Sequence, residues 1–336
     1  MIRFANNDDI DSIMLFIKNH WQATHILAND RAFFEYLYVR HGRVNFVVSA
    51  DGSDECGESG GINGLLGFIP YDSEYNTIAL ALWKALKDAD GFAGIDMLGY
   101  LMESLDSPRI ETPGMNIETT DSIMQFFGMN TGLMKHYYRL SNAKEYRIAE
   151  INDSYIPAVT QCQLKLRRIY TAEELFGVSR HADADRYAVI PKDEEYLEWR
   201  YFSHPVFNYM VFASEADKAD RGRISIVTRI QEHEGGRCLR LVDVLGNYDL
   251  LSAVTEAIDH TMETTGCEYT DCYYTGLPEE LFEDAGWRPV GGSGNIIPDH
   301  FEPYEARNTD IGFAETMRGA VMFKGDGDQD RPSLAP

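Results

Sequence analysis

The chain has 336 residues and carries 54 Asp and Glu against 30 Lys and Arg, a net charge of −24. Such a field repels nucleic acid and anionic membrane surfaces, both of which select for basic footprints. The 44% apolar and 12% aromatic residues exclude a disordered polymer, and the length suits two domains, each with a core of its own.

The five cysteines, Cys56, Cys162, Cys238, Cys267 and Cys272, show neither CxxC nor Cys/His ligand spacing. They read as free thiols of a reducing compartment. The opening MIRFANNDDIDSI carries acid where a secretory signal carries base, and no apolar run reaches the roughly 18 residues of a membrane span. The expected location is cytoplasmic.

In chain order, a short strand at Ile2 to Phe4 leads into a helix with apolar residues Ile10, Ile13, Met14, Phe16 and Ile17, which Asn7 and Asp8 are placed to cap. A second helix, Asp30 to Tyr38, carries the aromatic face Phe33, Phe34, Tyr36 and Tyr38. Strands are expected at Val44 to Ser49, Ile62 to Ile69 and Thr77 to Trp83. A glycine-bearing turn, Asp88 to Gly94, then opens a helix from Ile95 to Ser104. A short strand at Arg109 to Glu111, a helix from Thr119 to Phe127 and a strand ending at Tyr138 close this half.

The order then restarts. Arg3, Ala5 and Asp9 recur as Arg147, Ala149 and Asp153, 144 positions on. Further strands follow at Tyr209 to Ser214, Ile224 to Glu232 and Leu239 to Leu245, then a helix from Tyr248 to Thr265, a strand at Glu268 to Tyr274 and a short helix ending at Gly286. Phe127-Gly128-Met129 and Ala285-Gly286-Trp287 occupy equivalent helix ends. An internal duplication of an α/β unit, joined near Ser141 to Glu145, accounts for this.

This order, with a glycine turn after the fourth strand and a later helix ending in a Gly-apolar pair, resembles the GCN5-related N-acetyltransferase (GNAT) fold in tandem. The implied class is α/β (α+β), with each domain a mixed, mostly antiparallel sheet flanked by helices. The division is 1–140, 145–318 and an acidic tail, 319–336. The second half also resembles the FemAB-like branch, through Tyr196-Leu197-Glu198-Trp199-Arg200-Tyr201, His204-Pro205 and Tyr209. With Trp21 to Leu27 and the tail Asp326 to Pro332, the chain is similar to acyltransferases of surface-polysaccharide and amino-sugar biosynthesis.

The resemblance implies acetyl-CoA or another acyl-CoA as co-substrate, a small-molecule amine, such as that of a sugar or nucleotide-sugar, as acceptor, and no metal. A pyrophosphate needs convergent backbone N–H groups at a helix start. Asp88-Ala89-Asp90-Gly91-Phe92-Ala93 keeps the glycine and alanine of the family's Gln/Arg-x-x-Gly-x-Gly/Ala, with Gly94 beyond, but Asp88 replaces the Gln or Arg. An ordinary strand-to-helix turn is the alternative. Gly91, Phe92, Ala93 and Gly94 are thus the cofactor-binding candidates, together with Trp83. Main-chain N–H groups around Ala81 to Trp83 are the oxyanion donors. Leu245-Gly246-Asn247-Tyr248-Asp249 lacks the glycine spacing, so the first half is the expected cofactor domain.

The family's tyrosine acid is replaced by Met124 in the first half and Phe282 in the second. That shifts the acid role to Tyr137 or Tyr138, unless both merely alternate in a closing strand. His25, after Trp21 in the connection that borders the acceptor site, is the base candidate, with a surface or capping role as the alternative. Trp21, Arg200, His204, Asp330 and Arg331 are the substrate-binding candidates. Arg200 could clamp an anionic group or hold its own segment to the core. Asp326, Asp328 and Asp330 alternate as in a calcium loop, but Arg331 takes the place of the glycine and the chain ends before a twelfth-position Glu. Two other readings stand beside N-acyl transfer: a FemAB-like aminoacyl-tRNA-dependent transferase, opposed by the charge, and a ligand-binding protein without catalysis.

Overall fold

The computed structural model describes residues 1–50, 61–86, 92–143, 145–159, 163–216 and 222–334. Seven strands form the first sheet, in the order Ile2–Phe4, Phe46–Ala50, Ile62–Pro70, Thr77–Ala85, Arg109–Met115, Gly312–Glu315 and Asn130–Leu133. Helix Ile10–His20 buries Ile10, Ile13, Phe16 and Ile17, the spacing of one helical face. Its entry is capped one residue earlier than expected. The Asn6 side chain accepts from the Asp8 amide at 2.8 Å, and Asp9 accepts from the Asn6 amide at 2.8 Å. Helix Arg31–Tyr38, capped by Asp30, buries Phe33, Phe34, Leu37 and Tyr38.

The second sheet runs Leu166–Arg168, Met210–Ser214, Ile224–His233, Gly236–Gly246, Tyr269–Thr275, Ala320–Phe323 and Ala188–Val189. Lys135–Leu140 pairs with Tyr269–Thr275, and Arg288–Pro289 pairs with Lys135–Leu140. Both sheets contain three successive antiparallel strands, a crossover helix (Ala93–Ser104 or Thr255–Thr265) and a parallel strand. The chain is therefore a mixed α/β molecule with helices flanking two curled sheets.

Two strands cross between the sheets. Lys135–Leu140, expected to close the first half, lies in the second sheet, where Tyr138 faces Asp271. Gly312–Glu315, near the other end of the chain, takes the place between Arg109–Met115 and Asn130–Leu133 in the first. Only Met134 separates Asn130–Leu133 from Lys135–Leu140. One residue cannot make the hairpin that would bring the second strand back beside the first, so the chain runs on into the neighbouring sheet. A continuous core follows from this exchange: Phe46, Ile69 and Leu82 pack in one cluster with Trp199, Val242 and Met322.

The restart expected at Arg147 does not reproduce the opening strand and helix. Residues 145–159 hold an isolated bridge, Glu150 to Ile296, and no helix. Arg3 pairs with Asp9 at 2.7 Å, but Asp153 pairs with Arg288, which the offset of identities does not reveal. The expected helix from Tyr248 resolves into short 3-10 turns ahead of Thr255–Thr265, and the short strand at Arg109 extends to Met115.

Each parallel pair is joined at one end only. Thr77–Ile78 pairs with Arg109–Ile110, after which Thr77–Ala85 and Arg109–Met115 diverge. Cys238–Leu241 pairs with Tyr269–Cys272, after which that pair diverges too. These two forks are the places in the molecule where strand ends could admit a ligand.

Candidate active site

In the first fork a bulge interrupts the strand Thr77–Ala85. Leu66 faces Trp83 and Phe68 faces Leu80, so Ala81 and Leu82 together oppose Gly67. A bulge re-aims backbone groups that a regular ladder would consume, and here both bulged residues line a cleft of about 650 Å³ between the diverging strands. Near the vertex the Leu80 amide donates to the Thr112 hydroxyl at 2.8 Å, which bridges the strands where their own ladder has stopped. Thr112, Asn116, Thr119 and Thr120 continue the far wall as uncharged hydrogen-bonding groups.

The charge of the cleft departs from that of the chain. Among the described residues Asp328 is the one carboxylate in the lining, and Arg331 pairs with it. Lys84 lies on the rim, exposed and without an ion pair among the described residues. A chain of net charge −24 thus presents a cleft in which no carboxylate is left uncompensated by the described residues.

Of the expected cofactor-binding residues, Trp83 and Gly94 line the cleft. A Cβ at Gly94 would sit 3.6 Å from the Trp83 indole nitrogen. Ala93 is the buried first residue of its helix and Phe92, just before it, is 65% exposed. Gly91 lies outside the described residues, as do Lys87 to Asp90. Trp21 and Arg331, expected on the acceptor side, also line the cleft.

Other candidates are placed elsewhere. His25 caps helix Ile26–Asn29: its Nδ1 accepts the Leu27 amide at 3.1 Å, and the residue is buried beside the bridge to Leu334. Burial, reinforced by Arg331, lowers its pKa to about 3, so the ring is neutral at neutral pH. Tyr137 and Tyr138 sit in the second sheet, outside the cleft lining. The Tyr137 hydroxyl donates to Glu279 at 3.0 Å, and that of Tyr138 meets Ser293 at 2.9 Å. Met124 does line the cleft, and Phe282 is stacked on Tyr274 in the core at 4.0 Å.

Arg200 and His204 serve the fold. Arg200 is fully buried, and its guanidinium donates to the carbonyls of Gly325 at 2.7 Å and Asp330 at 2.6 Å. His204 accepts the Phe207 amide at 2.8 Å, and burial, aided by Arg200, lowers its pKa to about 3. The Asp330 carboxylate is held by Arg229 at 2.6 Å and by the Tyr209 hydroxyl at 2.8 Å. Burial opposes its charge, but Arg229 outweighs burial and keeps the carboxyl well below the usual range. The aromatic run and the tail therefore belong together: the first clamps the second.

That tail is what sequence reasoning placed least well. Ala320–Phe323 and the residues after it enter the second fork, where Phe323 faces Tyr274 and the Gly325 amide donates to the Val242 carbonyl at 2.7 Å. Lys192 bridges Asp243 at 2.7 Å and Asp326 at 2.6 Å behind it. The chain then crosses the first fork. Gly327 rests on Ala79 and Gln329 on Gly114, on the two diverging strands. Asp328 and Gln329 thereby form one end of the cleft. The readable signal was the alternation Gly325, Gly327 among aspartates, which fits close backbone approach better than a metal loop. Among the described residues no group of three His, Cys, Asp or Glu side chains could hold a metal ion. No helix there is long and apolar enough to cross a membrane.

No protein-family model matches the sequence, and no curated protein matches it. Solved structures do. A GCN5-related N-acetyltransferase from Anabaena variabilis superposes with a TM-score of 0.58 at 10% identity, covering 94% of this chain and 72% of that one. A probable N-acyltransferase from Enterococcus faecalis gives 0.55 at 8%, covering 93% and 71%. The GCN5-related glucosamine N-acetyltransferase region of a fungal multi-domain β-N-acetylglucosaminidase gives 0.50 at 11%, covering 93% of this chain and 38% of that protein. The fold of this chain is that of the GCN5-related N-acetyltransferases.

Proposed function

We propose that the chain is an N-acyltransferase that moves an acyl group from acyl-CoA to an amine in the first fork. The observation that carries this is the bulge at Ala81 and Leu82, both of which line a cleft whose only described carboxylate is paired with Arg331. A thioester carbonyl seated there would take its oxyanion donors from the main chain beside Leu82, whose own backbone is hydrogen-bonded to Tyr38. An anionic cofactor would meet Lys84 on the rim and no free carboxylate among the described residues. Trp83 and Gly94 would hold the pantetheine side, with helix Ala93–Ser104 beginning at the phosphates.

For the acceptor we favour the amine of a sugar or nucleotide-sugar, as polysaccharide synthesis would require. Thr112, Asn116, Thr119, Thr120 and Gln329 offer neutral hydrogen-bonding groups suited to hydroxyls, and the fungal region with this fold is a glucosamine N-acetyltransferase. Transfer from aminoacyl-tRNA gains nothing from the cleft, which has no basic track for a polyanion among the described residues.

A second reading, binding without turnover, draws on Met124 in the place of the family's tyrosine. Calorimetry with acetyl-CoA and thiol release with D-glucosamine decide between them. Binding that Gly94→Trp removes, with thiol release, supports transfer. Binding without release supports the second reading, and no binding refutes both.

A further inference from the structure

We propose that Asp328, carried into the first fork by the C-terminal segment, takes the proton from the acceptor amine, an assignment that rests on the acyl-transfer reading above. Three observations converge on it. Gly327, at φ +56°, brings the backbone so close to the strand Thr77–Ala85 that an added Cβ would lie 2.7 Å from the Ala79 Cβ. The residue after it is therefore fixed at the inner end of the cleft. Next, the Tyr38 hydroxyl donates to Asp328 Oδ2 at 3.0 Å, and the Leu82 backbone hydrogen-bonds the same phenolic oxygen. The carboxylate is thus two hydrogen bonds from the bulge where the thioester carbonyl would sit. Finally, Arg331 also contacts Oδ2, and no described side chain bonds Oδ1, which is left for the incoming nitrogen.

The proton inventory closes on these groups. An ammonium N–H passes its proton to Asp328 Oδ1, and the freed lone pair attacks the thioester carbonyl carbon to form the C–N bond. The tetrahedral intermediate collapses with cleavage of the C–S bond. The remaining extra proton on nitrogen goes to the leaving sulfur, giving amide and thiol, and protonated Asp328 returns its proton to water. Arg331 and Tyr38 hold the carboxylate in its orientation.

The test is thiol release from acetyl-CoA with D-glucosamine as the probe amine, alongside calorimetric binding of acetyl-CoA. Asp328→Asn preserves shape, and its kcat should fall by about 100-fold while acetyl-CoA affinity stays within about threefold. If Asp328→Asn is unstable, Asp328→Asn/Arg331→Gln leaves no orphaned charge and should show the same kcat loss. Turnover retained by these variants overturns the assignment, as does a loss found on His20→Gln, a second titratable residue in the cleft lining, and not on Asp328→Asn. Wild-type protein that binds acetyl-CoA yet releases no thiol also overturns it. No binding of acetyl-CoA at all refutes the acyl-transfer reading itself, and is separable from the rest.

Discussion

The Gly325 amide donates to the Val242 carbonyl at 2.7 Å, so the chain's own C-terminal segment occupies the second fork. A Cβ on Gly325 would lie 2.7 Å from both that carbonyl and the Tyr201 hydroxyl, which shows how little space remains. The two forks share a topology, but in the second the C-terminal segment fills the space between the diverging strands, whereas in the first a cleft of about 650 Å³ lies there.

On the acyl-transfer reading, one cofactor site per chain is expected. Titration of acetyl-CoA should give a stoichiometry near one, and Gly94→Trp, which drives an indole into the Trp83 ring, should abolish it. Residual binding at full stoichiometry in Gly94→Trp, or two equivalents in the wild type, would show that the second fork opens.

Gly327 should be intolerant of any side chain. Its left-handed backbone and the 2.7 Å approach to Ala79 mean that Gly327→Ala strains the turn and displaces the segment, at a cost of about 1–3 kcal/mol. Gly61, with no described residue within 4 Å of an added Cβ and no positive φ, is the control, and Gly61→Ala should change stability by less than about 0.5 kcal/mol. Urea unfolding of both variants measures the difference; equal midpoints would mean that the C-terminal crossing is not held by this contact.

Much of the architecture was legible because local periodicity reports local burial. Ile10, Ile13, Phe16 and Ile17 face the core as their spacing requires, and the strands of both halves lie close to where alternation and turn residues put them. Trp83 and Gly94 were reachable from motif order. The strand exchange was not, since nothing in Lys135–Leu140 says which sheet will accept it, and only the lack of a turn at Met134 hints that it leaves the first. His25, Tyr137 and Arg200 are chemically capable residues whose partners, the Leu27 amide, Glu279 and the Gly325 carbonyl, are fixed by tertiary contacts. Asp328 stood out only as one of three alternating aspartates for the same reason. Its partner Tyr38 is 290 positions away in sequence.

The buried cap His25 makes stability depend on pH in a defined direction. Its folded-state pKa is depressed to about 3, against 6.5 for the ordinary group. The neutral ring therefore contributes stability that is fully present above pH 6.5 and is lost as pH falls from there toward 3. Asparagine also caps helices well but does not titrate. His25→Asn should be within about 1 kcal/mol of wild type at pH 7.5, and the wild type should lose about 1–2 kcal/mol more than the variant between pH 6.5 and 5. Parallel stability curves for the two proteins would refute the assignment of His25 as a neutral, buried cap.

Glu111 should act with the opposite sign. It is buried on Arg109–Met115, where Oε1 accepts from the Met317 amide at 2.9 Å and the Thr316 hydroxyl at 3.0 Å while Oε2 finds no hydrogen-bond partner among the described residues. Burial, with a smaller push from the Glu315 carboxylate, raises its pKa to about 7 from 4.5. A raised carboxyl binds its proton more tightly in the folded protein, so its contribution is complete below pH 4.5 and disappears as pH rises through about 7. Glu111→Gln keeps the accepting oxygen toward Met317 and Thr316 and removes the buried charge. The variant should be more stable than wild type at pH 8 by on the order of 1–3 kcal/mol, with the gain shrinking toward zero at pH 5. Denaturant midpoints at the two pH values read this directly. A gain that is the same at both, or a loss at pH 8, would mean that the Glu111 carboxylate is stabilised by contacts stronger than the two hydrogen bonds that hold it between the sheet and the C-terminal strand.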